Sequence, residues 1–201
     1  MLKPFTKTLP ILLNGLLLSL LIGCASGGGP DDTGSAPIPA DVDSSTSTAY
    51  KRAVNAMKNG RDDAAISQFN AISQTHPNLA GPFINLGLIH LKNGNYEKAE
   101  KNLAQATTLK PADAVAQTHL GIAYRQLGKF KEAQSAYDEA LKSNPKYPFA
   151  HLNAGILYDI YLNDLARALT HYQQYQALTN DDDALVKKWI IDLERRVKNK
   201  S

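Results

Sequence analysis

Residues 80–113 read AGPFINLGLIHLKNGNYEKAEKNLAQATTLKPAD. Phe83, Leu86, Gly87 and His90 recur at three- and four-residue spacing, which puts them on one face of a helix. Asn93-Gly94-Asn95 is a turn signal. Tyr96, Ala99, Leu103 and Ala106 then make a second apolar stripe, which Pro111 ends. The stretch therefore spells helix, tight turn, helix, stop. Small residues at Gly87 and Ala99 let the two helices approach closely, while Phe83, Tyr96 and Leu103 fill the space around them.

The same pattern recurs along the chain. Gly60, Gly94 and Gly128 are spaced by 34 residues, as are Ala65, Ala99 and Ala133, and Pro77, Pro111 and Pro145. A fixed period of this size marks a repeat array. Residues 114–147 carry Leu120-Gly121, Tyr124, Gly128, Phe130, Ala133, Tyr137, Ala140 and Pro145 in register. Residues 148–181 carry Ala154-Gly155, Tyr158, Ala168 and Tyr172, with one extra residue expected in the turn around Leu162-Asn163-Asp164. Residues 46–79 match in their second half, at Gly60, Ala65, Phe69 and Pro77, with Ala53 where the later units have glycine.

An aromatic, then Leu-Gly, Tyr, Ala, an aromatic and Pro in this order resemble the tetratricopeptide repeat. The resemblance implies an all-α fold, a right-handed superhelical solenoid of four helix-turn-helix units over residues 49–181, divided as 46–79, 80–113, 114–147 and 148–181. Such arrays need a polar-faced terminal element. Residues 182–201 supply one: Val186, Ile190, Leu193 and Val197 run along one helix face with Trp189 beside them, and Lys187, Lys188, Glu194 and Arg196 take the others. Asp181-Asp182-Asp183 places acids at the start of that helix, where its dipole favours them.

The N-terminus is of another kind. Lys3 and Lys7 precede an apolar run over residues 11–22, and residues 1–23 contain no acid. This is the pattern of an export signal, shorter than the roughly 20 apolar residues that span a bilayer. The run ends in Leu21-Ile22-Gly23-Cys24, and Cys24 is the chain's single cysteine. A lone thiol makes no internal disulfide. The tetrapeptide resembles the lipobox of bacterial lipoproteins, which implies cleavage before Cys24 and acylation of its sulfur. In that family an aspartate after the cysteine commonly marks inner-membrane retention. Ala25 stands here, so the resemblance implies an outer-membrane lipoprotein, facing the periplasm. Residues 24–48 are almost all Gly, Ser, Thr, Pro, Ala and Asp, with Ile38 and Val42 the large apolar exceptions, and read as a disordered tether. A flexible chain of that length spans roughly 25 Å.

The chain's formal charge is +3, which falls to +1 without Lys3 and Lys7. No broad basic field for nucleic acid is expected. His76, His90, His119, His151 and His171 never fall at metal-ligand spacing, and Gly27-Gly28-Gly29 lies in the tether with no strand before it. No metal, cofactor, small-molecule substrate or catalytic residue is expected. A catalytic site would require a convergent titratable cluster that spacing does not reveal.

Binding is the stronger class. By the repeat resemblance, the first helices line the concave face through the fifth, ninth, twelfth and thirteenth positions of each unit. Those are Tyr50, Val54, Met57 and Lys58; Ile84, Leu88, Leu91 and Lys92; Thr118, Ile122, Arg125 and Gln126; Leu152, Ile156, Asp159 and Ile160. The ninth position is apolar in every unit. The Lys and Asn by which chaperone-binding members of the family hold a terminal carboxylate are absent from the fifth and ninth positions. The groove is therefore expected to take an apolar or amphipathic protein segment, with polar contacts near Arg125 and Asp159. Lipoproteins of this architecture include pilotins of type IV pilus secretins, adaptors of cell-wall hydrolases and companions of TonB-type energy-transduction complexes. The resemblance fits all three and names no partner.

Overall fold

The computed structural model describes residues 36–37, 42–180 and 182–199. The expected signal segment and Cys24 lie outside the described residues. The described residues form nine α-helices, one π-helical turn and no strand: α1 Ser44–Lys58, α2 Asp62–Thr75, α3 Ala80–Lys92, α4 Tyr96–Leu109, α5 Ala114–Gln126, α6 Phe130–Ser143, α7 Pro148–Ile156, the π turn Leu157–Tyr161, α8 Leu165–Leu178 and α9 Ala184–Lys198. The helices pair as α1/α2, α3/α4, α5/α6 and α7/α8, each pair stacks on the next, and α9 packs against α8. This is the superhelical array that the 34-residue period predicts.

Each pair closes on a small residue facing a large one. A Cβ on Gly87 would collide with Leu103 Cγ, one on Gly121 with Tyr137, and one on Gly155 would lie 2.6 Å from Tyr172 Cδ1. In the first unit Ala53 and Phe69, both fully buried, share one cluster. The small–large pairing is thus the same in all four units, and it fixes how closely the paired helices approach. Ala65, Ala99, Ala133 and Ala168, one from each second helix, are all fully buried.

The turns inside the pairs follow from backbone chemistry. Gly94 sits at φ +72° and Gly128 at +74°, a left-handed conformation that costs glycine nothing. The next residue's amide reaches five positions back, Asn95 to His90 O at 2.8 Å and Lys129 to Tyr124 O at 2.9 Å, which satisfies a carbonyl the helix end leaves open. The fourth unit solves the same problem with one residue more. Its extra residue lies not in the turn, as expected, but inside the first helix, where Leu162 N–H bonds Leu157 O at 3.1 Å as a π turn. Asn163, at φ 54°, then takes the glycine's place, and Asp164 N–H closes onto Tyr158 O at 2.9 Å.

Both ends of the array differ from its middle. The helical body starts before the expected end of the tether: α1 begins at Ser44 because Asp43 accepts from the amides of Ser45 and Thr46, both at 2.9 Å. At the other end Asp183 caps α9 by accepting from Leu185 and Val186. That helix buries Val186 and Leu193 and sets Trp189 5.3 Å from Tyr172, centroid to centroid, so it covers the last pair.

The fourth pair also sets two histidines against each other. His151 Nε2 lies 3.0 Å from Pro145 O, and because a carbonyl only accepts, His151 donates there. Its Nδ1 lies 3.1 Å from His171 Nδ1, so the two imidazoles share one hydrogen bond. Burial, the neighbouring His151 and Arg167 push His171 down to about 4 from the usual 6.5. The unfolded chain takes up that proton first as pH falls, so protonation favours unfolding. Denaturant melts should show stability falling between pH 6.5 and about pH 4, with a shallower fall in His171→Gln.

Candidate concave interaction face

The first helices α1, α3, α5 and the α7–π segment lie in sequence along the array, with α3 against α5 and α5 against α7. Their packing divides the expected groove residues into two groups. Tyr50, Ile84, Leu91, Ile122, Leu152 and Ile156 are buried, with exposures from 1 to 9%. Leu91, Ile122, Leu152 and Ile156 are held in the main core cluster and Ile84 in a smaller one, so they present almost no surface to a partner, while Tyr50 donates its hydroxyl to Ala36 O. Thr118 is buried in the same way and donates to Ala114 O at 2.7 Å. The physical reason is the close stacking of neighbouring first helices, which buries the fifth position in every unit, the ninth in the last two units and the twelfth only at Leu91.

The second group keeps open surface. Val54, Met57 and Leu88 are half-buried. Ile160 is 55% exposed, an unusual value for a large apolar side chain. Lys58 and Lys92 are exposed, and Lys92 reaches across to Asp62 at 3.1 Å. Gln126 and Arg125 are half-buried. The Arg125 guanidinium sits 5.7 Å from the Tyr161 ring centroid and donates to Asn153 Oδ1 at 3.5 Å, while its buried Nε has no hydrogen-bond partner among the described residues. Asp159 is spoken for: Arg196 of the terminal helix donates to it at 3.4 Å, in an ion pair the groove reading did not anticipate.

Spacing alone overlooked two asparagines at the sixth position of their units. Asn85 is fully buried and Asn153 is 2% exposed. Asn153 donates to Phe149 O at 2.8 Å and accepts from Arg125. Asn85 donates through Nδ2 to the Tyr50 hydroxyl at 2.7 Å, and its Oδ1 accepts the Ala36 amide at 3.2 Å. Tyr50 in turn donates to Ala36 O at 2.9 Å. A buried amide on an otherwise apolar helix face was the available signal, since such a group needs partners.

The tetratricopeptide-repeat profile matches residues 50–114, 84–148 and 118–183 in overlapping registers. The chain belongs to the tetratricopeptide-repeat family. Among curated relatives, anaphase-promoting complex subunit 3 of Schizosaccharomyces pombe is 31% identical over 98 residues, which is 48% of this chain and 14% of that protein. The chain thus spans a small part of that relative's length. Among solved structures, a thermophilic tetratricopeptide-repeat protein of Thermus thermophilus superposes with a TM-score of 0.61 at 23% identity, over 76% of this chain and 82% of that one. The first repeat domain of Spaghetti (RPAP3), bound to the HSP90 peptide SRMEEVD, superposes with a TM-score of 0.56 at 22% identity, over 59% of this chain and 93% of that one. These two likenesses concern the fold. Tetratricopeptide arrays are in general protein-interaction scaffolds.

Among the described residues, no three His, Cys, Asp or Glu side chains are placed to hold a metal ion. No helix among them is long and apolar enough to cross a membrane.

Proposed function

We propose that this protein is a membrane-anchored interaction scaffold of the bacterial cell envelope, without catalytic activity of its own, whose concave face holds an amphipathic segment of a protein partner. The observation that carries the reading is the set of half-open apolar side chains on successive first helices, Val54, Met57 and Leu88, with the cationic Lys92 and Arg125 on the same series of helices. Apolar contacts at the centre with charges at the rim are the usual anatomy of a specific interface. The missing carboxylate-holding residues separate this face from a site for a terminal carboxylate. Anchoring rests on Leu21-Ile22-Gly23-Cys24 at the end of the apolar run, with the outer membrane as its location. Assembly of a secretin-type pilus complex is the process proposed, with hydrolase adaptors and TonB-type complexes as the alternatives.

The test uses the open residues, since carboxylates at Ile122 or Ile156 would be buried and would unfold the array. Val54→Glu with Leu88→Glu should reduce capture of the envelope partner at least tenfold while the helical circular dichroism is kept. Lys101→Glu with Lys131→Glu, exposed on the second helices, should leave capture unchanged. Equal capture by the two double variants would refute the concave-face reading.

A further inference from the structure

The hydrogen bonds around Ala36 have the form of a ligand held in a site. Ala36 precedes the helical body and is 7% exposed. Both of its backbone polar groups are satisfied by side chains of other elements: its amide donates to Asn85 Oδ1 at 3.2 Å, and its carbonyl accepts from the Tyr50 hydroxyl at 2.9 Å. Asn85 Nδ2 closes the ring onto the same hydroxyl at 2.7 Å. The methyl group belongs to a buried cluster with Ile84, Ala106 and Ala116, against which Leu88 packs. Among the described residues, Tyr50 and Asn85 bond only Ala36 and each other, and both are fully or almost fully buried, so an empty site would strand buried donors and acceptors. Asn85 and Tyr50 bond the peptide backbone and not the side chain, and the Ala36 methyl packs among the buried Ile84, Ala106 and Ala116.

We propose that Tyr50 and Asn85 form a backbone clamp at the first end of the concave face, and that the chain's own Ala36 segment fills it as an intramolecular ligand, which a partner's extended segment bearing a small residue must displace. This rests on the concave reading above, because Leu88 belongs to both surfaces. The two sites overlap, so occupancy in cis weakens partner binding. Release of Ala36 breaks no helix, since α1 starts at Ser44 with its own cap at Asp43. An intramolecular ligand competes at a high effective concentration set by its short connection, so a free peptide must overcome that advantage.

The probe is a fluorescent synthetic peptide of residues 33–41, titrated against the whole chain. Ala36→Glu introduces a charge that the buried cluster rejects, and it should free the clamp. The labelled peptide should bind Ala36→Glu at least tenfold more tightly than the unaltered chain. Adding Tyr50→Phe, which keeps the ring but removes the hydroxyl, should abolish that gain. Amide hydrogen exchange gives a second readout that needs no disruptive variant: the Ala36 amide should be protected in the unaltered chain and lose protection at least tenfold in Asn85→Leu. Equal peptide affinity for the unaltered chain and Ala36→Glu, or an unprotected Ala36 amide, would overturn the clamp. That outcome together with capture still sensitive to Leu88→Glu removes the clamp alone; loss of the Leu88 dependence removes the concave reading.

Discussion

Gly121→Leu is expected to destabilise the protein by about 3 kcal/mol or more, at the upper end of overpacking effects. A Cβ on Gly121 would collide with Tyr137 Cε1 and lie 2.7 Å from Tyr137 Cδ1. Tyr137 is 1% exposed and is held among Ala123, Ala133 and Leu103 in the main cluster, so the ring has nowhere to go without moving α6 off α5. At this chain length the loss corresponds to a fall in Tm of about 6–12 °C. Two comparisons make the result specific. Lys101→Ala, on an exposed part of α4, should change stability by less than about 0.5 kcal/mol. Gly121→Ala should cost less in a Tyr137→Leu background than alone, because the two positions share one contact and so do not add. Additive costs would mean that the small–large pairing does not set the distance between paired helices.

Cys24→Ser is expected to have the largest effect on location. Acyl chains bind through burial of methylenes at about 0.8 kcal/mol each, so two or three chains anchor stably and none leaves the body without a hold. In Cys24→Ser the acyl mass should vanish from the N-terminal peptide, and the protein should move from the membrane fraction to an unprocessed or released form. Mass spectrometry of the mature N-terminus with membrane fractionation checks both. An unmodified Cys24 in the parent protein, or cleavage at another position, would contradict the proposed anchor.

The helices and their pairing were legible because every 34-residue unit repeats the same steric problem with the same kinds of residue. Gly121 opposite Tyr137 can be read from Gly87 opposite Leu103. The place of the fourth unit's extra residue could not be read. Both a longer turn and a π turn accommodate it, and the choice depends on Asn163 accepting a left-handed conformation while Leu162 bonds back to Leu157. The groove was half legible. Position within the unit identifies side chains on the inner side of the first helices, but stacking between units decides whether Ile122 and Ile156 close the core while Leu88 stays open. That depends on how each pair leans on the next, which no single unit encodes. The partner of Asn85 was invisible for a simpler reason, although the amide itself stood out on an apolar helix face. Ala36 is 49 residues away, in a segment whose composition reads as a tether.

The central claim is that the partner lies on the concave face. A photo-crosslinking residue at position 88 tests this most directly, with one at position 101 on the second-helix side as reference. Irradiation of intact envelopes should give one predominant adduct through position 88 and none of that mass through position 101. An adduct of the same mass from position 101 alone, with position 88 silent, would contradict the account.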